Sequence, residues 1–248
     1  MTLRLLTYNI RHGGVGREDA IAAVIRGCAP DVVVLQEATR PDVVKALAAA
    51  AGFAEHGSHR GQSLGFLSRL PIARAVWRRP LLSRHAFLEL APANRDVHIV
   101  GVHLSAVHAA WTERRRLIEL ASLLRTIRAR QHGFHVLAGD FNTLAPGERL
   151  DIQRLPARLR PLVWLSGGRI KWRTIQTVID AGYCDAFRIL HPDDPGMTMP
   201  AWDPHVRLDY VFVPQPFRER LVSCEVVTGG AADKASDHLP VVAHFDLR

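Results

Sequence analysis

The sequence predicts an α/β fold in which packed sheets are covered by outer helices. Three observations carry this expectation. Strand-like and helix-like segments alternate from the first residues. Several strand-like runs in the middle of the chain follow one another too closely for helices to intervene, which implies antiparallel pairing. No Pro/Gly-rich linker and no short-period repeat divides the chain. With 248 residues, 48% of them hydrophobic, the expectation is a single domain over residues 1–248 with a sizeable core.

The elements follow in order. Residues 3–10 alternate as a strand, and residues 18–28 place Ala20, Ile21, Val24 and Ile25 on one helical face. The β-branched run DVVVLQEA reads as a strand buried on both faces. Pro41 suits the first turn of a helix that Gly52 ends. Strand-like segments at 63–68, 72–79, 86–90 and 97–104 precede a long helix at 111–130. Leu117, Leu120, Leu124 and Ile127 form its apolar stripe, opposite an exposed basic face. FHVLAGDFN is the next strand. An irregular Pro- and Arg-rich stretch to about residue 170 and a short helix at 175–181 follow. RLDYVFV, VSCEVV and LPVVAHFDL close the chain as strands.

The formal charge is +8. It fits a polyanionic substrate without specifying one. There are 29 arginines and three lysines, and such a bias beside abundant alanine also fits genome base composition. No apolar run is long enough to span a bilayer, and Met1 leads straight into a strand, so the expectation is a cytoplasmic protein with no stable membrane association. Cys28, Cys184 and Cys224 form no C-x-x-C pair and are expected to be small buried hydrophobes.

Five strands end in residues able to bind metal or phosphate: Asn9 in TYNIRHG, Gln36 and Glu37 in VVLQEAT, His103 in VGVHLSA, Asp140 and Asn142 in LAGDFN, and Asp209, Asp237 and His238 across RLDYVFV and SDHLPV. Each has an ordinary explanation alone. Asn9 suits a turn, Asp140 a helix cap, His103 a core position with satisfied nitrogens, and Asp209 a partner for arginine. A carboxylate closing so apolar a strand as that of Glu37 is costly if unpaired. Five coincidences at strand ends favour one shared site. Oxygen ligands from Asn9, Glu37 and Asp237 suit a hard cation, Mg²⁺ or Mn²⁺, and no His/Cys spacing suits zinc. Two histidines, a basic surface and a carboxylate able to deprotonate water suit phosphate-ester hydrolysis.

Taken in order, TYNIRHG, VVLQEAT, GFLSRLPI, GVHLSA, LAGDFN, RLDYVFV and SDHLPVVA resemble the endonuclease/exonuclease/phosphatase superfamily over nearly the whole chain. The resemblance implies a DNase I-like four-layer α/β sandwich, two packed mixed β-sheets flanked by helices. It also implies roles. Glu37 with Asn9 would hold the divalent metal against the scissile phosphate. Asp140 would orient and deprotonate the attacking water, with Asn142 positioning it or the phosphate. Asp209 would keep His238 protonated beside the pentacovalent phosphorus. Asp237 would support the metal, and His103 would contact the phosphate or assist the leaving oxygen. DNase-like members pair the His103-type histidine with an acid, and HRGQSLGFLSR supplies none. The basic motifs of the exonuclease III-like and inositol-phosphatase branches are also missing.

Substrate contacts are expected from two arginine-bearing stretches. GGRIKWRT offers Arg169, Lys171, Trp172 and Arg173, read either as Trp172 stacking on a base while its neighbours meet phosphates or as an amphipathic surface segment with Trp172 buried and the charges solvated. The loop TMPAWDPHVRLDY offers Trp202, equally as a substrate wall or as a residue packed under the loop, and Arg207 just before Asp209. The function expected first is a metal-dependent nuclease acting on nucleic acid as a monomer. The alternatives are a small-molecule or lipid-headgroup phosphohydrolase, favoured by the sphingomyelinase-like GVHLSA, and a non-enzymatic binding protein, which the complete set of site residues opposes.

Overall fold

The computed structural model describes residues 1–80, 83–106, 110–130, 133–149, 151–154, 157, 160–161 and 173–248. Two six-stranded sheets pack face to face. The first has the order β11-β12-β1-β2-β4-β3, from β1 (Thr2–Asn9), β2 (Val32–Gln36), β3 (Glu55–Ser58), β4 (Gly65–Ser68), β11 (Leu221–Val226) and β12 (Val241–Asp246). The second runs β5-β6-β7-β8-β10-β9, from β5 (Ile72–Arg78), β6 (Phe87–Pro92), β7 (His98–His103), β8 (His135–Asp140), β9 (Tyr183–Asp185) and β10 (Asp209–Pro214). Each sheet has a parallel pair at its centre, β1 with β2 and β7 with β8, and antiparallel neighbours outside.

The parallel pairs require crossovers. Helix α1 (Glu18–Cys28) links β1 to β2, and α3 (Ala110–Arg130) links β7 to β8. On α1, Ile21, Val24, Ile25 and Cys28 recur at helical spacing and are buried, and Ala29 ends the helix in the left-handed region. Pro41 opens α2 (Pro41–Ala51), and Gly52 closes it at φ 72°, where glycine has no Cβ penalty.

Pleat periodicity sorts each strand's side chains into layers. Leu6, Tyr8, Ile10, Val33 and Leu35 face α1 and α2. Leu3, Leu5, Val32 and Val34 face the second sheet, where they meet Ile99, Val136, Ala138, Val211 and Val213. Val100, Val102, Leu137, Tyr210 and Phe212 face outward to α3 and α4 (Arg173–Asp180). The result is four layers, helix–sheet–sheet–helix.

Some expectations need correction. The 63–68 segment joins the first sheet, so the central meander is β5-β6-β7 alone. Strands β3 and β9 were not anticipated, nor were the short helices α5 (Ala186–Leu190) and α6 (Ala232–Ala235). All are brief, and β3 is polar and partly exposed, so no periodic signal marks it. The α3 stripe is Leu120, Leu123 and Ile127, with Leu117 and Leu124 only half-buried. Its basic face is not wholly solvated: Arg116 is buried, held by Glu113 and the Ser105 carbonyl. Cys28 and Cys224 are buried as expected, whereas Cys184 is partly exposed. Among the described residues no helix is long and apolar enough to cross a membrane.

Candidate active site

Periodicity of two places the polar strand ends. Asn9 continues the row Leu3, Leu5, Thr7, and Gln36 continues Val32, Val34. In the second sheet, His103, Asp140 and Asp209 are direct register partners, His103 opposite Asp140 and Asp140 opposite Asp209. They continue the rows of Ile99, Val136–Ala138 and Val211–Val213. All five point into the space between the sheets, at one rim. Asn9 bridges the gap: its Nδ2 donates to Asp140 Oδ2 at 3.0 Å, across 131 residues of sequence.

Two glycines let the strands approach closely below this rim. A Cβ on Gly101 would sit 2.9 Å from Val34 Cγ1 of the opposite sheet. At Gly139, where φ is 154°, a Cβ would fall 1.8 Å from the Val102 carbonyl oxygen, so no other residue fits beside Asp140.

Asp140 is the hub. Its Oδ1 accepts from the Asn142 backbone N–H at 2.8 Å, and its Oδ2 lies 3.9 Å from His238 Nε2 and 3.8 Å from His103 Nε2. Burial, reinforced by the neighbouring Asp209 charge, pushes its carboxyl up to about 7, against the pull of His238 and the Asn142 and Asn9 hydrogen bonds. His238 Nδ1–H donates to Asp209 Oδ2 at 2.8 Å. Burial alone would lower the His238 pKa, but Asp209 and then Asp140 outweigh it and raise it to about 10, so the ring is charged at neutral pH. His103 is the opposite case: burial, then His85 and His238, hold it well below the usual histidine range, and it is neutral.

Glu37 and Asn142 stand at φ 56° and 53°, a region that Asn tolerates and Glu rarely enters. Three hydrogen bonds hold the Glu37 turn: His12 N–H to Oε2 at 2.5 Å, Thr39 N–H to the Glu37 carbonyl at 2.8 Å, and Ala38 N–H to the Ser63 carbonyl at 2.9 Å. Asn142 Nδ2 donates to the Leu104 carbonyl at 3.1 Å, tying the loops after β8 and β7 together. Glu37 Oε1 lies 3.5 Å from the same Asn9 amide that meets Asp140. Asp237 Oδ2 lies 3.4 Å from Arg11 Nε.

These donors fit a hard cation. Glu37, Asp140 and the Asn9 carboxamide offer only oxygen and amide groups, and one amide nitrogen lies between two carboxylates with Glu37 still partly open to solvent. A second geometric candidate, Asp140, Asp209 and His238, brings ligand atoms within 4.8 Å of one another. Two of its members are already joined by the Asp209–His238 hydrogen bond, so the Glu37 side is the better place for an ion.

The missing acid of His103 is resolved: the Ser63 hydroxyl occupies its Nδ1 side. Ser63, His85 and Glu119 were not singled out in the sequence. Ser63 lies within HRGQSLGFLSR, where a hydroxyl carries no sequence signal of a histidine partner. Arg207 is the main correction. It is buried, with Nε 2.7 Å from Glu148 Oε1, its two Nη atoms 3.1 and 2.6 Å from Asp185, and its guanidinium stacked on the Tyr210 ring. It braces the loop and has no open face for substrate. Asp185 is its partner. Trp202 is 64% exposed on a loop fixed to the site by Ala201 N–H to the Asp237 carbonyl at 2.9 Å. Arg173 is exposed at the start of α4. Arg169, Lys171 and Trp172 lie outside the described residues.

Comparison with solved structures places the fold. A 3′ phosphatase from Neisseria, NExo, solved with a product DNA hairpin, is similar with a TM-score of 0.78 at 20% identity, over 98% of this chain and 99% of that one. An AP endonuclease from Archaeoglobus fulgidus is similar with a TM-score of 0.76 at 17% identity, over 98% and 99%. A protein from Beutenbergia cavernae described as an endonuclease/exonuclease/phosphatase has a TM-score of 0.68 at 24% identity, over 99% of this chain and 72% of its own. No curated protein matches the sequence. The model of the Endonuclease/Exonuclease/phosphatase family matches residues 6–238, and the chain belongs to that enzyme family.

Proposed function

We propose that the protein is a divalent-metal-dependent phosphodiesterase that hydrolyses nucleic acid. The observation that carries this reading is the convergence of Asn9, Glu37, His103, Asp140, Asp209 and His238 on one rim between the sheets. Glu37 and Asn9 would hold Mg²⁺ or Mn²⁺, with Asp237 alongside, and the ion would neutralise charge on the phosphate. Asp140 accepts the proton of the attacking water. Its two fixed hydrogen bonds, from Asn9 and Asn142, hold the carboxylate in one orientation for in-line attack. Asn142 positions the water or the phosphate. The His238 imidazolium, kept charged by Asp209, stabilises the negative charge that develops on the phosphoryl oxygens. His103, neutral, donates or accepts a hydrogen bond at a phosphate or leaving oxygen. The net charge of +8 supports a polyanionic substrate, and Arg11, Arg154, Arg160 and Arg173 are all partly or fully exposed, Arg11 and Arg154 beside Asp237 and Asp203. We place the protein in the cytoplasm.

Labelled single- and double-stranded DNA, RNA, abasic DNA, sphingomyelin and inositol phosphates, each with Mg²⁺, Mn²⁺ or EDTA, test the proposal. Metal-dependent cleavage of a nucleic acid is the expected result. Turnover only of sphingomyelin or an inositol phosphate overturns the nuclease assignment, and EDTA-resistant turnover overturns the metal.

A further inference from the structure

We propose that His85 is a positioning residue of this centre: stacked on His103 and tethered through Glu119, it fixes the ring whose Nε2 faces Asp140. The inference rests on the hydrolytic reading of the rim, and it assigns a role to a histidine outside every motif that marked the site.

The geometry is that of a clamp. The His85 and His103 rings are parallel within 3°, with centroids 4.7 Å apart. The Ser63 hydroxyl occupies the Nδ1 edge of His103, and Asp140 Oδ2 lies 3.8 Å from Nε2. One face and both nitrogen edges of the ring are thereby defined. Ser63 alone fixes a direction but leaves rotation about that hydrogen bond, and a flat surface against the ring removes it.

His85 is itself held. It lies two residues before β6, where Ser83 Oγ–H donates to the His85 carbonyl at 2.6 Å and Arg79 Nη2 donates to the Arg84 carbonyl at 2.9 Å. The Glu119 carboxylate of α3, almost fully buried, accepts from Arg84 N–H at 2.9 Å and from Ser105 N–H and Oγ–H at 3.2 and 3.0 Å. Arg84 precedes His85 by one residue, and Ser105 follows His103 by two. One carboxylate thus ties the two histidine-bearing segments to the same helix. A buried charge spent on two loop amides and a hydroxyl, with Arg115 3.7 Å away, is a costly way to make a mere packing contact.

Kinetics and histidine ¹⁵N NMR on the full chain test this, using His85→Ala, His85→Leu and His85→Phe. Leu fills the volume without a flat face, and Phe restores the flat face without nitrogens. Ala and Leu are expected to lower kcat by about 10- to 100-fold with KM nearly unchanged, the scale of a misplaced catalytic group. Phe is expected to recover most of that loss. In the His103→Ala background, His85→Leu adds no further loss. The ¹⁵N signals of His103 shift and broaden in His85→Leu and stay near their wild-type positions in His85→Phe. Equal losses for Leu and Phe, full additivity with His103→Ala, or unchanged His103 signals in His85→Leu overturn the proposal. Should His85→Ala fail to fold, the Leu and Phe pair decides. If the wild-type protein turns over no substrate with either metal, the hydrolytic reading fails, and the NMR comparison still decides whether His85 orders His103.

Discussion

Two buried charged clusters lie close together in this molecule, and they are built to opposite ends. Around Arg207, cations and anions balance. Glu148 and Asp185 face Arg207, Arg188 adds a second guanidinium 3.4 Å from Glu148, and the Tyr210 ring covers the charge. Around Asp140 they do not. Asp140 and Asp209 face one imidazolium while Glu37 reaches the same Asn9 amide as Asp140, the Asp140 carboxyl is pushed up to about 7, and buried Asp209 Oδ1 has no hydrogen-bond partner among the described residues. The same residue types make a brace when satisfied and a reactive centre when left short of positive charge.

The sharpest way to break this contrast is Asp140→Asn. Loss of the base is expected to lower turnover by about 10²- to 10⁴-fold. Stability moves differently. A carboxyl raised from 3.8 to about 7 is penalised in the folded state when ionised, so the penalty is absent below about pH 4, grows through pH 7 and is full above it. The Asn side-chain oxygen still accepts from Asn9 or Asn142. Asp140→Asn is therefore expected to melt at or above the wild-type temperature at pH 8, with the difference vanishing at acid pH. A large destabilisation at pH 8 would show that Asp140 is structural.

Arg207→Met is the mirror experiment. Leaving Asp185 and Glu148 buried without their guanidinium is expected to cost about 3–5 kcal/mol by urea denaturation. Activity per folded molecule is expected to stay near wild type. Intact stability with lost substrate affinity would return Arg207 to the substrate surface.

These two sites also mark how far the sequence was legible. Alternation identified β1, apolar β-branched or strand-like runs identified β2, β7, β8 and β10, and a polar residue at the end of each identified the rim. Period two then required Asn9, His103, Asp140 and Asp209 to share a face once the sheets paired. Arg207 misled because adjacency to Asp209 along the chain says nothing about direction: it precedes β10 and turns under the loop. Ser63, His85 and Glu119 were invisible because they meet only through the approach of three segments, and none carries a local pattern. The contribution of Arg169, Lys171 and Trp172 belongs to a stretch outside the described residues.

The proton inventory sharpens the comparison next. The active form has Asp140 ionised and His238 charged, so the rate is expected to rise through pH 7 and fall near pH 10. Asp209→Asn removes the main group raising His238, and the alkaline limb is expected to move down by roughly 1–3 units. The raised histidine also stabilises the fold. That contribution is full below its ordinary value of 6.5 and is lost as pH rises through about 10. The stability gap between wild type and Asp209→Asn is therefore expected to be widest at and below neutral pH and to narrow towards pH 10. An unmoved alkaline limb would show that His238 is not the group titrating. Glu37→Gln tests the charge deficit from the side of the ion. The Mg²⁺ concentration for half-maximal activity is expected to rise at least as much as when an outer-shell partner of a metal ligand is lost, roughly 10- to 100-fold.

The smallest expected effect concerns the border between the two clusters. Trp202 sits on the loop that Arg207 braces from beneath and that Ala201 fastens to Asp237. An indole 64% exposed on so constrained a loop loses little freedom on meeting a substrate ring, and an exposed large aromatic is worth little to the fold. Trp202→Ala is expected to raise KM for an oligonucleotide by about fivefold, the low end of base–aromatic stacking, with kcat and melting temperature unchanged. Trp202→Phe is expected to keep most of the affinity. A fall in melting temperature with unchanged KM would make Trp202 a packing residue, and the brace under it would then serve the fold alone.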